Sequence, residues 1–267
     1  VRDAALESGT DAHYTDPRYY SDTYADRELD IAYYQGLGAS LPARRREVLE
    51  YGCGNGRIAI PLSQAGVTVT AVDRSAPMLA DFEERLRRCD PAVARRIRIK
   101  RGDMRRVRFR KRFPLVLCTF NTFLHLYTRN DVEQFLKRVR AHMTARGRFV
   151  VDISVPDNEE LSRDPHRPYR VPRFKHPSTG QVVRYAERFD YDPLSQVLTV
   201  GMEFEPLRNK KGTWMTPLAH RQFYPQEMEA LLHYNGLAVV DIHADFEHKE
   251  PDEGSETLIF HCKKRGR

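Results

Sequence analysis

The sequence has few cysteines, no long apolar run and no low-complexity tract. Cys53, Cys89, Cys118 and Cys262 are its only thiols, and no C-x-x-C spacing joins any two of them. That excludes a disulfide framework and a zinc ribbon, and it predicts reduced thiols in a cytoplasmic protein without a bound metal. A transmembrane helix needs about 18 consecutive apolar residues, and no such run exists. The first residues also lack the basic-then-apolar order of a secretory signal. No internal repeat is present, so solenoids and propellers are excluded.

Positive charge is also scarce once the formal net charge of +7 is located. Residues 95–112 hold 11 basic residues against one acidic, which leaves 33 basic against 36 acidic in the rest of the chain. The protein is therefore nearly neutral apart from one strip. Such a strip suits either a phosphate track for nucleic acid or a solvated face. Alternation turns Arg98 and Lys100 away from the core, as a solvated face requires, so nucleic acid is not the expected partner.

Hydrophobic periodicity switches between two and 3.6 along the chain, the pattern of an α/β fold. Strand patterns at 47–51, 67–72, 115–120 and 148–153, and an alternating stretch at 96–100 with Ile97 and Ile99 inward, read as successive strands of a parallel sheet. Amphipathic stretches at 26–37, 57–65, 75–86 and 131–143 read as helices between or beside them. In the first of these, Leu29, Tyr33 and Leu37 share a face, and Ser75 is the cap of the third. Residues 156–180 read as a crossing loop. Alternating runs at 182–191, 197–205 and 214–223, joined by turns at Asp192-Pro193 and Lys211-Gly212, predict a three-stranded antiparallel ribbon. A helix at 225–234 and strands at 237–246 and 256–263 close the sheet. The expected organisation is one domain over 1–267. It comprises an N-terminal aromatic lid and helix (1–40), a ligand-binding core (44–155), an inserted ribbon (180–224) and a closing helix and strands (225–267).

The strongest local signal is Glu50-Tyr51-Gly52-Cys53-Gly54-Asn55-Gly56, with a strand before it and a helix after it. Glycines there let backbone N–H groups approach a ligand that a Cβ would obstruct. A dinucleotide fingerprint would place its third glycine at position 57, which is Arg57. The pattern is instead acidic-x-G-x-G-x-G, and the carboxylate of Glu50 asks for an amine. Asp73, at the end of the second strand, is placed to accept ribose hydroxyls, and Asp103, at the end of the third, an adenine amino group. Three carboxylates at three adjacent strand ends describe one ligand with an amine, a ribose and a base.

These residues resemble the class I S-adenosylmethionine-dependent methyltransferases, over roughly 14–155 plus the closing strands. Phe120-Asn121-Thr122-Phe123-Leu124-His125-Leu126 is similar to a segment of glycine N-methyltransferase-like small-molecule enzymes. The resemblance implies a doubly wound seven-stranded Rossmann-like sheet with S-adenosyl-L-methionine as cofactor. It implies that Glu50, Gly52, Cys53, Gly54, Asn55 and Gly56 hold the methionine part, with Asp73, Arg74 and Met78 around the ribose. Gly102, Asp103 and Met104 would meet the adenine, and Phe120 and Asn121 would also touch the donor.

Methyl transfer from a sulfonium is an in-line displacement that must release one proton from the acceptor. His125 is the expected general base, because imidazole titrates nearest working pH. Six of the 13 tyrosines lie in the first 34 residues, and aromatic faces stabilise cations such as a sulfonium. Tyr14, Tyr19, Tyr20 and Tyr24 are therefore lid candidates, whereas Tyr33 and Tyr34 sit at helical spacing and read as packing. Tyr24, Asn121, His125, Trp214 and Arg221 are the expected contacts of a small-molecule methyl acceptor. A ribbon of this size would cover the acceptor pocket, pair with a second copy through its free edge to give a homodimer, or do both. A nucleic-acid methyltransferase using 95–112, or a donor-binding protein without catalysis, are the rival readings.

Overall fold

Buried apolar stretches such as 115–118 and 149–151 form the middle of the main sheet. A computed structural model of the chain describes residues 6, 11–208 and 212–266. In chain order its elements are α1 (Pro17–Thr23), α2 (Leu29–Ala39), β1 (Glu47–Tyr51), α3 (Ala59–Gln64), β2 (Thr68–Asp73), α4 (Ala76–Arg87) and α5 (Pro91–Ala94). Next come β3 (Ile97–Arg101), β4 (Phe113–Cys118), α6 (Arg129–His142), β5 (Met143–Ser154) and α7 (Asn158–Leu161). The strands β6 (Tyr169–Lys175), β7 (Val182–Asp192), β8 (Val197–Pro206) and β9 (Trp214–Arg221) follow, then α8 (Pro225–Tyr234), β10 (Leu237–His243) and β11 (Thr257–Lys264). Short 3-10 turns occupy Ala12–Thr15, Ala43–Arg45 and Thr122–His125. The chain divides into two units, one from Val1–Asp26 with Pro156–Gln222 and the other from Arg27–Val155 with Phe223–Arg267.

The second unit carries a seven-stranded sheet in the order β10-β11-β5-β4-β1-β2-β3. Strands β1 to β5 run parallel, while β11 is antiparallel to both β5 and β10. This is the expected Rossmann-like class. Alternation along each strand feeds two cores. Leu49, Tyr51, Val116, Cys118, Phe149 and Val151 face one cluster with Phe135 of α6 and Leu232 of α8. Val48, Leu115, Leu117 and Val150 face the other, with Leu62 of α3 and Phe82 of α4. Burial on both faces is why these strands read as continuous apolar runs. The chain passes from β1 to β2 on one side and later to β4 on the other, so a crevice opens beyond the carboxyl ends of β1 and β4.

The helix ends obey local chemistry. Ser75 caps α4 by accepting from Met78 N, as expected. Thr128 and Asp131 form a reciprocal capping box at the start of α6. Two helix starts differ from expectation. The helix expected over 26–37, α2, begins at Leu29, and Leu29 is 59% exposed, off the face shared by the buried Tyr33. No side chain caps it, and the charged Asp26, Arg27 and Glu28 stay outside. The next begins at Ala59 rather than 57, because residues 54–58 are spent in the turn.

The first unit holds the largest correction. Its antiparallel sheet has four strands, in the order β6-β7-β8-β9, not three. The extra strand β6 lies in the stretch read as a crossing loop. It is an edge strand with a mostly exposed side-chain pattern, and Pro172 falls inside a register shift between Val171 and Phe174. Proline is tolerated at such edges and bulges, but it erases the strand signal from the sequence. Strands β7 and β8 pair over Val183–Asp192 and Val197–Pro206. Of the expected turn at Lys211-Gly212, Lys211 lies outside the described residues. Tyr19, Val183, Tyr185, Met202 and Phe204 are the buried centre of this unit.

Candidate active site

Within the second unit, Glu50 sits at the carboxyl end of β1, 1% exposed. Its Oε2 is buried and has no hydrogen-bond partner. Burial pushes its carboxyl up to about 8; the charge of Arg57 and a hydrogen bond with Thr119 oppose that, while Asp73 adds to it. A buried carboxylate oxygen with nothing to accept from is costly unless a ligand supplies a donor.

The loop that follows is shaped by absent side chains. Gly52 has φ +67°, and a Cβ there would lie 2.3 Å from the Thr122 side chain. Gly56 has φ +81°, and its Cβ would lie 2.2 Å from the Phe82 ring. The first glycine lets the loop meet the turn after β4, and the second lets α4 close on it. Cys53 N donates to Val72 O at 3.1 Å, tying the loop to β2, and burial holds the Cys53 thiol well above its ordinary range. The Asn55 side chain is turned to Asp81, 3.0 Å away.

Asp73 ends β2. Its Oδ2 accepts from Gly54 N and its Oδ1 from Ser75 N, each at 2.8 Å. A carboxylate has about four acceptor positions, so each oxygen keeps capacity for a hydroxyl. Burial raises its pKa, with the backbone hydrogen bonds opposing. Met78 is buried under the loop, Arg74 is exposed, and Gly102 N donates to Asp73 O at 2.8 Å.

Beyond β3, Asp103 is gripped by Arg105, whose Nε lies 2.9 and 3.0 Å from its two oxygens. The same guanidinium reaches Asp131 at 2.9 Å, so a buried arginine joins the end of β3 to the cap of α6. Partial burial works to raise the Asp103 pKa, but the hydrogen bonds and charge of Arg105 prevail and hold it below the usual carboxylate range. Met104 is half-buried against the core beside it. The basic strip is thus not uniform. Arg105 is buried between carboxylates, while the exposed Arg106 and Arg108 join it, Gln134, Lys137 and Arg138 in lining a surface groove.

After β4 the backbone enters the left-handed region twice in succession, at Phe120 (φ 54°) and Asn121 (φ 60°). Both N–H groups donate to Asp152 of β5. The Phe120 ring lies beneath the Arg57 and Arg27 guanidinium groups, 4.5 and 5.1 Å from its centroid. Arg57 in turn pairs with the buried Asp30. The Asn121 side chain bridges to Ser154, donating to Oγ at 2.8 Å and accepting from N at 2.7 Å. His125 closes the following 3-10 turn, half-buried, with Nδ1 3.3 Å from the Tyr127 hydroxyl. The sequence reading missed Asp152, Arg57 and Asp30 as site supports, and no motif marks them.

Within the first unit, Tyr20 makes edge contacts with His13 and Tyr24, and Tyr14 with His13. Tyr19 is stacked on His176, its ring centroid 5.0 Å away, inside the sheet's core. Trp214 stacks on Phe204. Arg221 is buried and donates to Gln196 Oε1 at 3.2 Å. His13 was not singled out from the sequence. It is 3% exposed, its Nδ1 has no hydrogen-bond partner, and burial lowers its pKa to about 4. His220 is likewise lowered to about 4 by burial, with His13 contributing.

The fold agrees with comparisons to known proteins. Residues 48–147 match the family model described as "Methyltransferase domain". The chain is 26% identical to the cypemycin N-terminal methyltransferase of Streptomyces sp over 210 residues, 76% of this chain and 83% of that one. It is similar in structure to the CcbJ methyltransferase from Streptomyces caelestis, with a TM-score of 0.78, 25% identity, and coverage of 93% and 98% of the two chains. The glycopeptide N-methyltransferase MtfA, solved in complex with (S)-adenosyl-L-methionine, shares the fold at a TM-score of 0.61 and 19% identity, covering 88% and 87%. An orphaned, buried Glu50 oxygen and a loop that admits no Cβ at Gly52 or Gly56 fit a donor carrying an ammonium group. Residues 48–147 carry a methyltransferase domain, and the chain shares its fold with S-adenosylmethionine-dependent methyltransferases.

Proposed function

We propose that the chain transfers the methyl group to a nitrogen of a small polar metabolite. Oxygen is the less favoured acceptor. S-adenosylmethionine supplies an electrophilic methyl on a sulfonium when bound. The chain's own residues do the rest. Glu50 receives the donor's ammonium on its buried Oε2, Asp73 accepts from the ribose hydroxyls, and the loop from Gly52 to Gly56 brings its backbone close to the methionine part. Asp103, with Gly102 and Met104, meets the base while Arg105 fixes its direction. Phe120 and Asn121 face the donor and the acceptor.

His125 takes the proton that the acceptor nitrogen loses, and the adjacent Tyr127 hydroxyl orients its imidazole. The observation that carries the reading is the unpartnered Oε2 of Glu50 beside a glycine loop. The cypemycin enzyme, named as an N-terminal methyltransferase, and the glycopeptide enzyme, named as an N-methyltransferase, favour nitrogen over oxygen.

Incubating the chain with methyl-labelled donor and a panel of amino sugars, amino acids and short peptides tests the reading. Label incorporation into an amine, reduced by about 100-fold or more in His125→Ala, is the expected result. Incorporation only into hydroxyl compounds, or into RNA, would replace it.

A further inference from the structure

Two consecutive left-handed residues, neither of them glycine, are an expensive way to leave a strand. Each costs about 1–2 kcal/mol relative to an ordinary conformation. Phe120 and Asn121 both adopt it, at the point where β4 gives way to the turn that ends in His125. Such strain persists only where surrounding contacts over-determine the geometry.

Asp152 supplies two of those contacts, one to each backbone N–H. It lies near the end of β5, buried, and its carboxylate accepts three hydrogen bonds. Oδ1 accepts from Asn121 N at 3.1 Å, while Oδ2 accepts from Phe120 N at 2.9 Å and from the Tyr34 hydroxyl. A left-handed pair turns two successive N–H groups toward one side, where a single anion can collect both. The other supports act on side chains. Ser154 holds the Asn121 amide, Arg57 lies over the Phe120 ring, and Thr122 fills the space left by Gly52. Among these supports, Asp152 holds the two strained N–H groups directly.

We propose that Asp152 is a positioning residue of the methyl-transfer site, which presents Phe120 and Asn121 to the bound donor by clamping their backbone in paired left-handed conformations. The proposal rests on the reading above, that Phe120 and Asn121 meet the donor. Tyr34 serves the same clamp one step removed, by orienting the carboxylate. An asparagine in place of Asp152 turns one acceptor into a donor that faces another N–H, so the pair of backbone bonds cannot both survive.

The test uses the full chain, calorimetric titration with S-adenosylhomocysteine, and amide proton–nitrogen spectra. D152N is expected to weaken binding by about 10-fold or more and to move the Phe120 and Asn121 amide signals. Glycine adopts the left-handed conformation without strain, so the loss caused by D152N should shrink to less than about threefold when measured in an N121G background. A residue serving only fold stability would show no such rescue. Y34F keeps both backbone bonds but leaves Oδ2 to Phe120 alone, so the Phe120 amide signal should shift more than that of Asn121.

That last variant carries the test should D152N fail to fold. Unchanged affinity in D152N with unmoved amide signals would overturn the proposal. So would an undiminished loss in the N121G background, or a Phe120 signal indifferent to Y34F. Absence of binding by the unaltered chain would instead strike the donor reading, and the amide shifts would still report on the clamp.

Discussion

Glu50 places a carboxylate where water does not reach and leaves one of its oxygens without a donor. Its folded pKa of about 8 stands above the ordinary 4.5, so the folded chain keeps a proton that the unfolded chain has already released. Stability of the ligand-free protein should therefore fall as pH rises from about 5 to about 8, and level off above that. A bound ammonium reverses the preference by favouring the carboxylate. Donor affinity should rise over the same window, with proton release that calorimetry in buffers of different ionisation enthalpy can count. Glu50→Gln should flatten both profiles and weaken donor binding by roughly 10- to 100-fold. A pH-independent affinity in the unaltered chain would remove Glu50 from the ammonium. Glu50 was legible in the sequence because strand, acid and glycine loop are contiguous. Asp152 was not, since it reads as a stray acid in an apolar run and its partners lie 31 to 118 residues away.

Strand ends and helix starts do most of the positioning. The loop between β1 and α3 tolerates no side chain at Gly56, so Gly56→Ala should displace Phe82 of α4 and abolish detectable donor binding, with a lowered melting temperature. Titration of the variant checks it, and wild-type affinity would show that the loop is looser than the structure depicts. Arg105 couples β3 to α6 by spanning Asp103 and the capping Asp131. Arg105→Met would strand a buried Asp131 carboxylate. It should cost about 3–5 kcal/mol in chemical denaturation, whereas Arg106→Met, at an exposed site, should cost less than about 0.5 kcal/mol. The central parallel strands were legible because burial on both faces leaves apolar stretches such as 115–118 and 149–151, and β3 because Ile97 and Ile99 alternate with basic residues. Strand β6 was not, because an exposed edge with Pro172 in a bulge carries neither alternation nor an apolar run.

Across the whole molecule, the charge excess that seemed to invite nucleic acid separates into two parts. Arg105 is consumed by carboxylates of its own unit, Asp103 and Asp131, and the exposed Arg106 and Arg108 border the groove beside α6. Oligonucleotide binding should accordingly be weak and should vanish near physiological salt, without competing with S-adenosylhomocysteine. Tight, salt-resistant RNA binding that donor analogues displace would reinstate the nucleic-acid reading. No helix among the described residues is long and apolar enough to cross a membrane. The class of reaction was legible because its residues cluster at four strand ends of one sheet. The acceptor was not, because the N-terminal aromatics and the ribbon follow no spacing rule that names a ligand.

The most direct measurement is calorimetric titration of S-adenosylhomocysteine into the whole chain, alongside Asp73→Ala. The account predicts saturable binding at one site per chain, weakened at least about tenfold when the Asp73 carboxylate is removed. Equal affinity in the two proteins would contradict the placement of the ribose, and no binding to either would contradict the donor site itself.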